Sequence, residues 1–427
     1  MSNVLPSAGY RRLAGAALAA TLTVSLVGGS LHAARAASTG NTSISGDVVF
    51  WNAYTTVTPE NTELITKVLP AFEKAYPNVT VYSQNIPYSS LLQKLVASVA
   101  GGSGPDVVRS DIIWVPQLAK IGAITRTDDI VAQRKNQFYA GPLSTTYYKG
   151  HYYGLPLDTN TRVMIYSKAL FAKAGISRPP ATTDEFMADA AKITSLGKNV
   201  FGYAEGGLDA WNILPWLWSF GGAVTDPNFQ HATGYLNSAK SVAGLQFLVD
   251  LKDKTYLSPS ILGGGLATSD AIGKNQAGII IDGPWMPPIF KAAYPSLQYG
   301  LAPMPAGPGG QSASVVGGED IVQMAASKNT AADRAFMQFM TSSEAQVDMG
   351  TTGQMPVLKS VAKNPALPSY FAVFSKQLQT AYARTVSPNW VKIDTILTDA
   401  FNKAIRHQAT AQAALNSAAS QIDGLLK

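Results

Sequence analysis

The residues able to do chemistry in this sequence are carboxylates, amides and aromatic rings. There is no cysteine, which removes disulfides, thiolate nucleophiles and Cys-ligated metals in one step. The four histidines, His32, His151, His231 and His407, stand far apart without metal-ligand spacing, so neither a metal nor any other cofactor is expected. Seven Trp and eighteen Tyr are present, and several fall at expected strand ends or loops beside acids and amides. Planar rings cover the apolar C–H faces of a hydroxyl-bearing solute, and carboxylates or amides bond its hydroxyls. Residues of this kind are Asp111 in RSDIIW, Asp158 and Asn160 in PLDTN, Trp285 after a Gly-Pro pair, and Glu319 after Gly317-Gly318. Each also has a structural alternative. Asp111 suits a helix N-cap, Asp158 and Asn160 a turn, Trp285 a core, and Gly317-Gly318 a tight turn beside a solvated acid. Glycines at 317 and 318 would equally let backbone N–H groups approach a ligand. Trp211, Trp216 and Trp218 surround Pro215 in a segment expected to be half core, with at most one of the three touching a ligand.

The elements that must hold these residues read as α/β. DVVFW (47–51), VTVY (79–82) and DVVR (106–109) are short apolar runs expected as strands. Between them Leu64, Ile65, Val68, Phe72 and Tyr76 recur at helical spacing, with Pro70 marking a kink or restart. Leu91, Leu92, Leu95, Val96 and Val99 mark a second helix, stopped by Gly101-Gly102. This alternation predicts a mostly parallel sheet with helices on both faces, and ligands in such sheets bind beyond the carboxyl ends of the strands. Residues 52–56 and 110–114 occupy those ends. Further on, YYKGHYYG (147–154) is a hairpin signal, Thr182 and Glu185 form a capping box, and Ser238 caps another helix. VMIY (163–166) and GIIID (278–282) are strands, and residues 393–426 form an alanine-rich helical tail.

A chain of 427 residues favours two domains, and 46 % apolar with 14 % charged residues fits a globular protein. Arg11-Arg12, the apolar stretch 13–27 and Ala34-Arg35-Ala36 make a signal peptide cleaved near Ala36. A membrane anchor is the alternative, although two glycines dilute the stretch; the Arg pair also permits twin-arginine export. No later segment is apolar for long enough to span a membrane, so the expected product is exported and soluble, periplasmic or at the cell surface. Three of the 33 basic residues lie in that leader, so half of the formal net charge of +6 goes with it. No basic run interleaved with aromatics occurs, and nucleic acid is excluded as a partner.

Several segments in order, PAFEKAYPNVTV (70–81), LLQKLVASVAGGSGPDVV (91–108), YGLPLDTNTRVMIYSKALFAKAG (153–175), PPATTDEF (179–186), FGGAV (220–224), NQAGIIIDGPW (275–285) and VVGGEDIV (315–322), resemble the family 1 extracellular solute-binding proteins of ABC importers. The resemblance covers nearly the whole chain after the leader. It implies a two-lobed, maltose-binding-like fold that closes about hinges over a ligand, as proteins of this class do. The implied crossings lie near residues 156–161, 299–303 and 348–354. They divide the chain into a first lobe of 37–157 plus 302–347 and a second of 158–301 plus 348–427. The implied function is capture of a mono- or oligosaccharide by a monomer without catalysis, and its delivery to the permease subunits of an ABC importer. Asp111 and Glu319 would meet sugar hydroxyls. Asp158 and Asn160 would sit at the first crossing, where the family usually has an acid in place of Asn160. Asn52, Tyr54, Thr55 and Trp390 match cleft regions, and Trp285, Gly317 and Gly318 would join them.

Two rivals follow from the same residues. A glycoside hydrolase needs two carboxylates facing a scissile bond; Asp111, Asp158, Asp282 and Glu319 are available, but nothing in the sequence pairs them. A different solute in the same fold would draw on other groups: a polyamine on the acids, a phosphorylated or anionic compound on Arg109 and Arg162, or iron on Tyr147, Tyr148, Tyr152 and Tyr153, which suit a hairpin surface better.

Overall fold

The structure, a computed structural model, describes residues 40–54, 59–101, 104–384 and 386–426. The leader expected at 1–36 and the candidate Thr55 lie outside the described residues. In chain order the strands are β1 (Ser45–Asn52), β2 (Asn78–Asn85), β3 (Val107–Asp111), β4 (Tyr147–Tyr148), β5 (His151–Tyr152), β6 (Leu155–Asn160) and β7 (Val163–Ser167). They continue with β8 (Phe201–Ala204), β9 (Ala277–Asp282), β10 (Tyr299–Ala302), β11 (Ser314–Val315), β12 (Gly317–Gln323) and β13 (Ala381–Tyr382). One sheet has the order β2-β1-β3-β12-β6 and a second β10-β7-β9-β8.

The sheets are mixed, which corrects the expectation of mostly parallel pairing. The alternating strand–helix stretch does give parallel β2, β1 and β3. β12, however, runs antiparallel to both β3 and β6. In the second sheet β8 is parallel to β9, and β7 is antiparallel to β9 and β10. β6 leaves the first sheet for the second and β12 returns from it. Neither pairs through the helical crossover that imposes parallel neighbours.

Local signals set the elements. The Thr182 hydroxyl accepts from the Glu185 N–H at 3.2 Å at the start of helix Thr183–Thr194. The Glu185 carboxylate reaches back to the Ala181 N–H at 2.8 Å. In the β4–β5 hairpin Lys149 and Gly150 both take positive φ (46° and 90°), as a tight turn matched to strand twist requires. Pro70 enters near the start of helix Leu69–Ala75, just after a π-helical stretch Leu64–Val68, so it marks a restart. The tail is two helices, Trp390–Ile405 and Ala411–Leu426.

Each sheet has its own cores. Around the first, Phe336 packs edge-on against Phe50 and Phe72, with ring centroids 5.1 and 5.2 Å apart. Around the second, Phe186 meets Tyr203 and Trp216 edge-on at 5.4 and 5.2 Å. These cores place the chain crossings. The first falls between β6 and β7, so all of β6, Asp158 and Asn160 included, pairs in the first sheet. Met304, Ala313 and Val315 still pack with the second sheet, and the Ala306 and Gly307 N–H groups bond to Ala181 and Ser219 carbonyls. The return therefore comes at Val316, later than 299–303. Met349, Val357, Leu358 and Val361 pack with the first sheet, and Phe371 and Phe374 with the second. Met355, beside the expected 348–354, already packs with Phe371 and Phe374, and the chain leaves the first core between Val361 and Phe371. At the return to the first sheet, buried apolar side chains keep the segment with the sheet it has just served. Among the described residues no helix is long and apolar enough to cross a membrane.

Phe186 is fully buried at the centre of the second sheet's core. Phe186→Ala should lower unfolding free energy by about 3–5 kcal/mol, read as a shift of the urea midpoint with the slope unchanged. A shift below about 1 kcal/mol would remove Phe186 from the packed centre.

Candidate functional site

Three acids line up across the first sheet. Glu319 on β12 is the register partner of Asp111 on β3 and of Asp158 on β6, with a bulge following at Glu319/Asp320. Like charges directly opposite one another on neighbouring strands repel. Two arginines compensate. Arg109, two residues before Asp111 on β3, brings its Nη2 to 2.8 Å from Glu319 Oε2 and 3.3 Å from Asp158 Oδ2. It also donates to Gln354 Oε1 at 3.1 Å, and its guanidinium lies 4.4 Å from the centroid of the Tyr54 ring. Gln354 in turn donates to Glu60 at 3.4 Å. Arg384, in the loop after β13, comes from the second sheet's side and donates to Asp111 Oδ1 at 3.3 Å. Asp111 also accepts from the Tyr88 hydroxyl at 2.7 Å and from the Ile113 N–H at 2.9 Å. It therefore fixes the local turn and belongs to the cluster together.

The second sheet contributes rings. Trp211, in the first turn of helix Ala210–Ser219, stacks on Trp285 with centroids 6.3 Å apart and planes at 29°. Arg384 lies 5.5 Å from the Trp211 ring centroid. Asp209 caps that helix by accepting from the Asn212 N–H at 3.2 Å. Arg162 locks it: its Nη1 donates to the carbonyls of Trp211 (3.3 Å) and Asn212 (2.8 Å), and its Nη2 to Glu205 (2.7 Å) and the Ile281 carbonyl. Arg162 is thus a buried structural tie, spent on Glu205 and three carbonyls, and no reader of anions.

Other expected residues take different places. Asn52 is fully buried. It donates to Ser83 Oγ at 2.9 Å and accepts from the Tyr54 N–H at 3.1 Å and Asn85 Nδ2 at 2.9 Å, so it ties down the loop that carries Tyr54. Trp390 is 1 % exposed in the core of the second sheet. Its expected cleft position is corrected, because the helix begins at Trp390 and turns that ring inward with Ile393 and Leu397. Gly317 and Gly318 are required by crowding within the protein. A Cβ on Gly317 would stand 2.5 Å from the Trp211 ring and collide with Asn160 Oδ1; Gly318 has φ +135° and its backbone abuts the Asp158 carbonyl. Of the three clustered tryptophans, Trp216 and Trp218 are core and Trp211 is half-buried at the site. Arg384, Gln354, Glu60 and Tyr88 escaped the sequence reading: each stands alone in a loop or first helical turn, with no spacing to flag it.

The cluster is short of donors. Glu60 Oε2, Asp158 Oδ1, Asn160 Oδ1 and Glu319 Oε2 are buried acceptors without a hydrogen-bond partner among the described residues. Arg109 Nη2 lies 2.8 Å from Glu319 Oε2, without hydrogen-bond geometry. Burial, opposed by Arg109 and reinforced by Asp158, holds the Glu319 carboxyl well above the usual carboxylate range. Burial likewise pushes the Tyr54 phenol up. A void of about 10 Å³ beside Tyr54, Asp158 and Gln354 has room for one water molecule at most. A groove of about 440 Å³ lined by Phe290, Tyr294, Tyr299 and Tyr370 shares none of these residues. Chemically, the site can accept hydrogen bonds from a donor-rich solute and cover an apolar face with paired indoles.

Comparison with known proteins identifies the family and the fold. The profile of the bacterial extracellular solute-binding protein family matches residues 56–347. A binding protein of Brucella abortus is 27 % identical over 371 residues, covering 84 % of this chain and 89 % of that one. The maltotriose-binding protein of Pyrococcus abyssi is 25 % identical over 357 residues, covering 81 % and 74 %. An ABC transporter solute-binding protein of Thermotoga lettingae, solved with α-D-tagatose, superposes with a TM-score of 0.82 at 26 % identity, covering 90 % of this chain and all of its own.

Gly317→Ala should displace the Trp211 ring. The expected result is a loss of about 1–3 kcal/mol in stability, with a changed near-ultraviolet circular dichroism signal and an unchanged far-ultraviolet spectrum. Unaltered near-ultraviolet dichroism and stability would show that Trp211 does not lie on Gly317.

Proposed function

The chain belongs to the bacterial extracellular solute-binding proteins, and on that footing we propose that it captures a mono- or oligosaccharide between its two lobes for an ABC importer. The lobes in this reading are residues 40–160 with 317–361, and 162–315 with 371–426. The observation that carries the proposal is the set of partnerless buried acceptors on Glu60, Asp158 and Asn160 beside the Trp211–Trp285 pair. Sugar hydroxyls supply the missing donors, and a sugar's C–H face suits the indoles. The relatives whose ligands are known, maltotriose in one and tagatose in the other, support the ligand class.

The arginines argue against an anionic solute, since Arg109, Arg162 and Arg384 each already face a carboxylate. A hydrolase is disfavoured too. Its two carboxyls stand about 5 Å or more apart across the scissile bond, whereas the Glu319 and Asp158 carboxyls on adjacent strands are within hydrogen-bond reach of each other. The reading includes export, action as a monomer, binding without catalysis and hand-over to permease subunits in the membrane.

Tryptophan fluorescence titration with maltotriose, tagatose and further sugars, alongside glycerol phosphate and spermidine, tests it. A saturable response to at least one sugar is expected. Trp211→Ala should weaken that binding about tenfold, since an aromatic platform contributes ~1 kcal/mol or somewhat more. A response confined to spermidine or glycerol phosphate would reject the carbohydrate assignment.

A further inference from the structure

We propose that Glu319 works as a neutral, proton-bearing acid that gives a hydrogen bond, and that capture of ligand in this cleft is therefore coupled to one proton. The coupling rests on the sugar-binding reading; the protonation does not. Five carboxyls converge here. Asp111 comes from β3, Asp158 from β6, Glu319 and Asp320 from β12, and Glu60 from helix Pro59–Glu63. Among the described residues two guanidiniums face them, Arg109 on β3 and Arg384 after β13. Further titratable neighbours are the Tyr54 and Tyr88 phenols, whose proton loss would only add negative charge, and Asp394, which senses Asp111 and Arg384 and is pushed up to about 6, mainly by burial. Buried like charges in contact cannot all ionise, so the cluster retains protons at neutral pH.

Hydrogen bonding decides which acid on the cleft row keeps its proton. Asp111 accepts from three donors, Tyr88, Ile113 and Arg384. Asp158 accepts from Arg109. Asp320, outside this row, is fully buried and accepts from Thr145 Oγ1 at 2.9 Å, while its Oδ2 has no donor among the described residues and burial holds its carboxyl well above the usual range, so it keeps a proton of its own. Glu319 stands between two acids, and its Oε2 has no hydrogen-bond donor among the described residues. A proton on Glu319 removes the central charge of the row and gives Asp158 or a ligand oxygen a donor. The raised Glu319 titration described above agrees with this placement.

The sign follows. If ligand and lobe closure need the neutral acid, affinity is full at low pH and falls as pH rises through the Glu319 titration. For one proton the fall is at most tenfold per pH unit. The acid's proton also sets a preference: the ligand atom facing Glu319 is an acceptor oxygen, unlike the hydroxyl donors facing Asn160.

Two readouts on the whole protein test this. Carbon-13 carboxyl NMR on glutamate-labelled protein without ligand, with Glu319 assigned through Glu319→Gln, should show a neutral acid at about pH 7. Asp158→Asn should move that titration down towards the ordinary range, and it covers the case in which Glu319→Gln does not fold. The second readout is maltotriose affinity from about pH 5 to about pH 9. The wild type should lose affinity with rising pH and Glu319→Gln should not, whatever its absolute level. A Glu319 resonance titrating in the ordinary carboxylate range overturns the inference, even if sugar binds. A neutral Glu319 with wild-type affinity independent of pH overturns the coupling. A neutral Glu319 in a protein that binds no sugar upholds the protonation and refutes the carbohydrate reading instead.

Discussion

A single guanidinium, Arg109, makes the carboxyl end of the first sheet possible. The register of β3, β12 and β6 sets Asp111, Glu319 and Asp158 side by side. Without a cation between them the repulsion would oppose the strand pairing that aligns them. Arg109 rests on Tyr54 and reaches Asp158, Glu319 and Gln354 at once, so the loop after β1, three strands and the segment after helix Ser343–Gly350 converge on it. Its burial works against its charge, and the surrounding carboxylates outweigh that cost and keep it cationic. A buried cluster held this way is fixed in geometry but incompletely bonded, which is the condition for selecting a ligand by the donors it brings.

The second sheet solves a similar problem with Arg162. Its partner Glu205 is fully buried and receives the Tyr203 hydroxyl. Because Arg162 also holds the Trp211 and Asn212 carbonyls, the indole at the site is positioned by main-chain bonds, independently of any ligand. Arg384 then joins the halves, bonding Asp111 on one side and lying over Trp211 on the other. Acids on one lobe and rings on the other are thus brought together by cations that occupy neither role.

Much of this was legible in the residues. Apolar runs located β1, β2, β3, β7 and β9, and hydroxyl caps at Thr182 and Ser238 located two helices. Strand direction was not legible, because nothing local to β12 says that its neighbours are β3 and β6. Trp390 was misplaced by starting the tail helix at Ile393; one turn earlier, Trp390, Ile393, Leu397 and Phe401 form a single buried face. Asp111, Asp158, Asn160, Glu319 and Trp285 do gather at the site: Asp111 and Asn160 end strands, Trp285 follows one, and Asp158 and Glu319 lie within β6 and β12 in register with Asp111. Gly317 and Gly318 gather with them, though for close packing. Arg384 and Gln354 lie far along the chain from every partner they meet, and only the folded register brings them in.

The central claim is that acids from one lobe and indoles from the other meet on one hydroxyl-rich guest. A crystal structure with a bound sugar tests it most directly. The account predicts a sugar ring against Trp211 or Trp285 with hydroxyls on Asp158 and Asn160. A sugar seated instead in the groove between Phe290 and Tyr370, with the Arg109 cluster untouched, would contradict it.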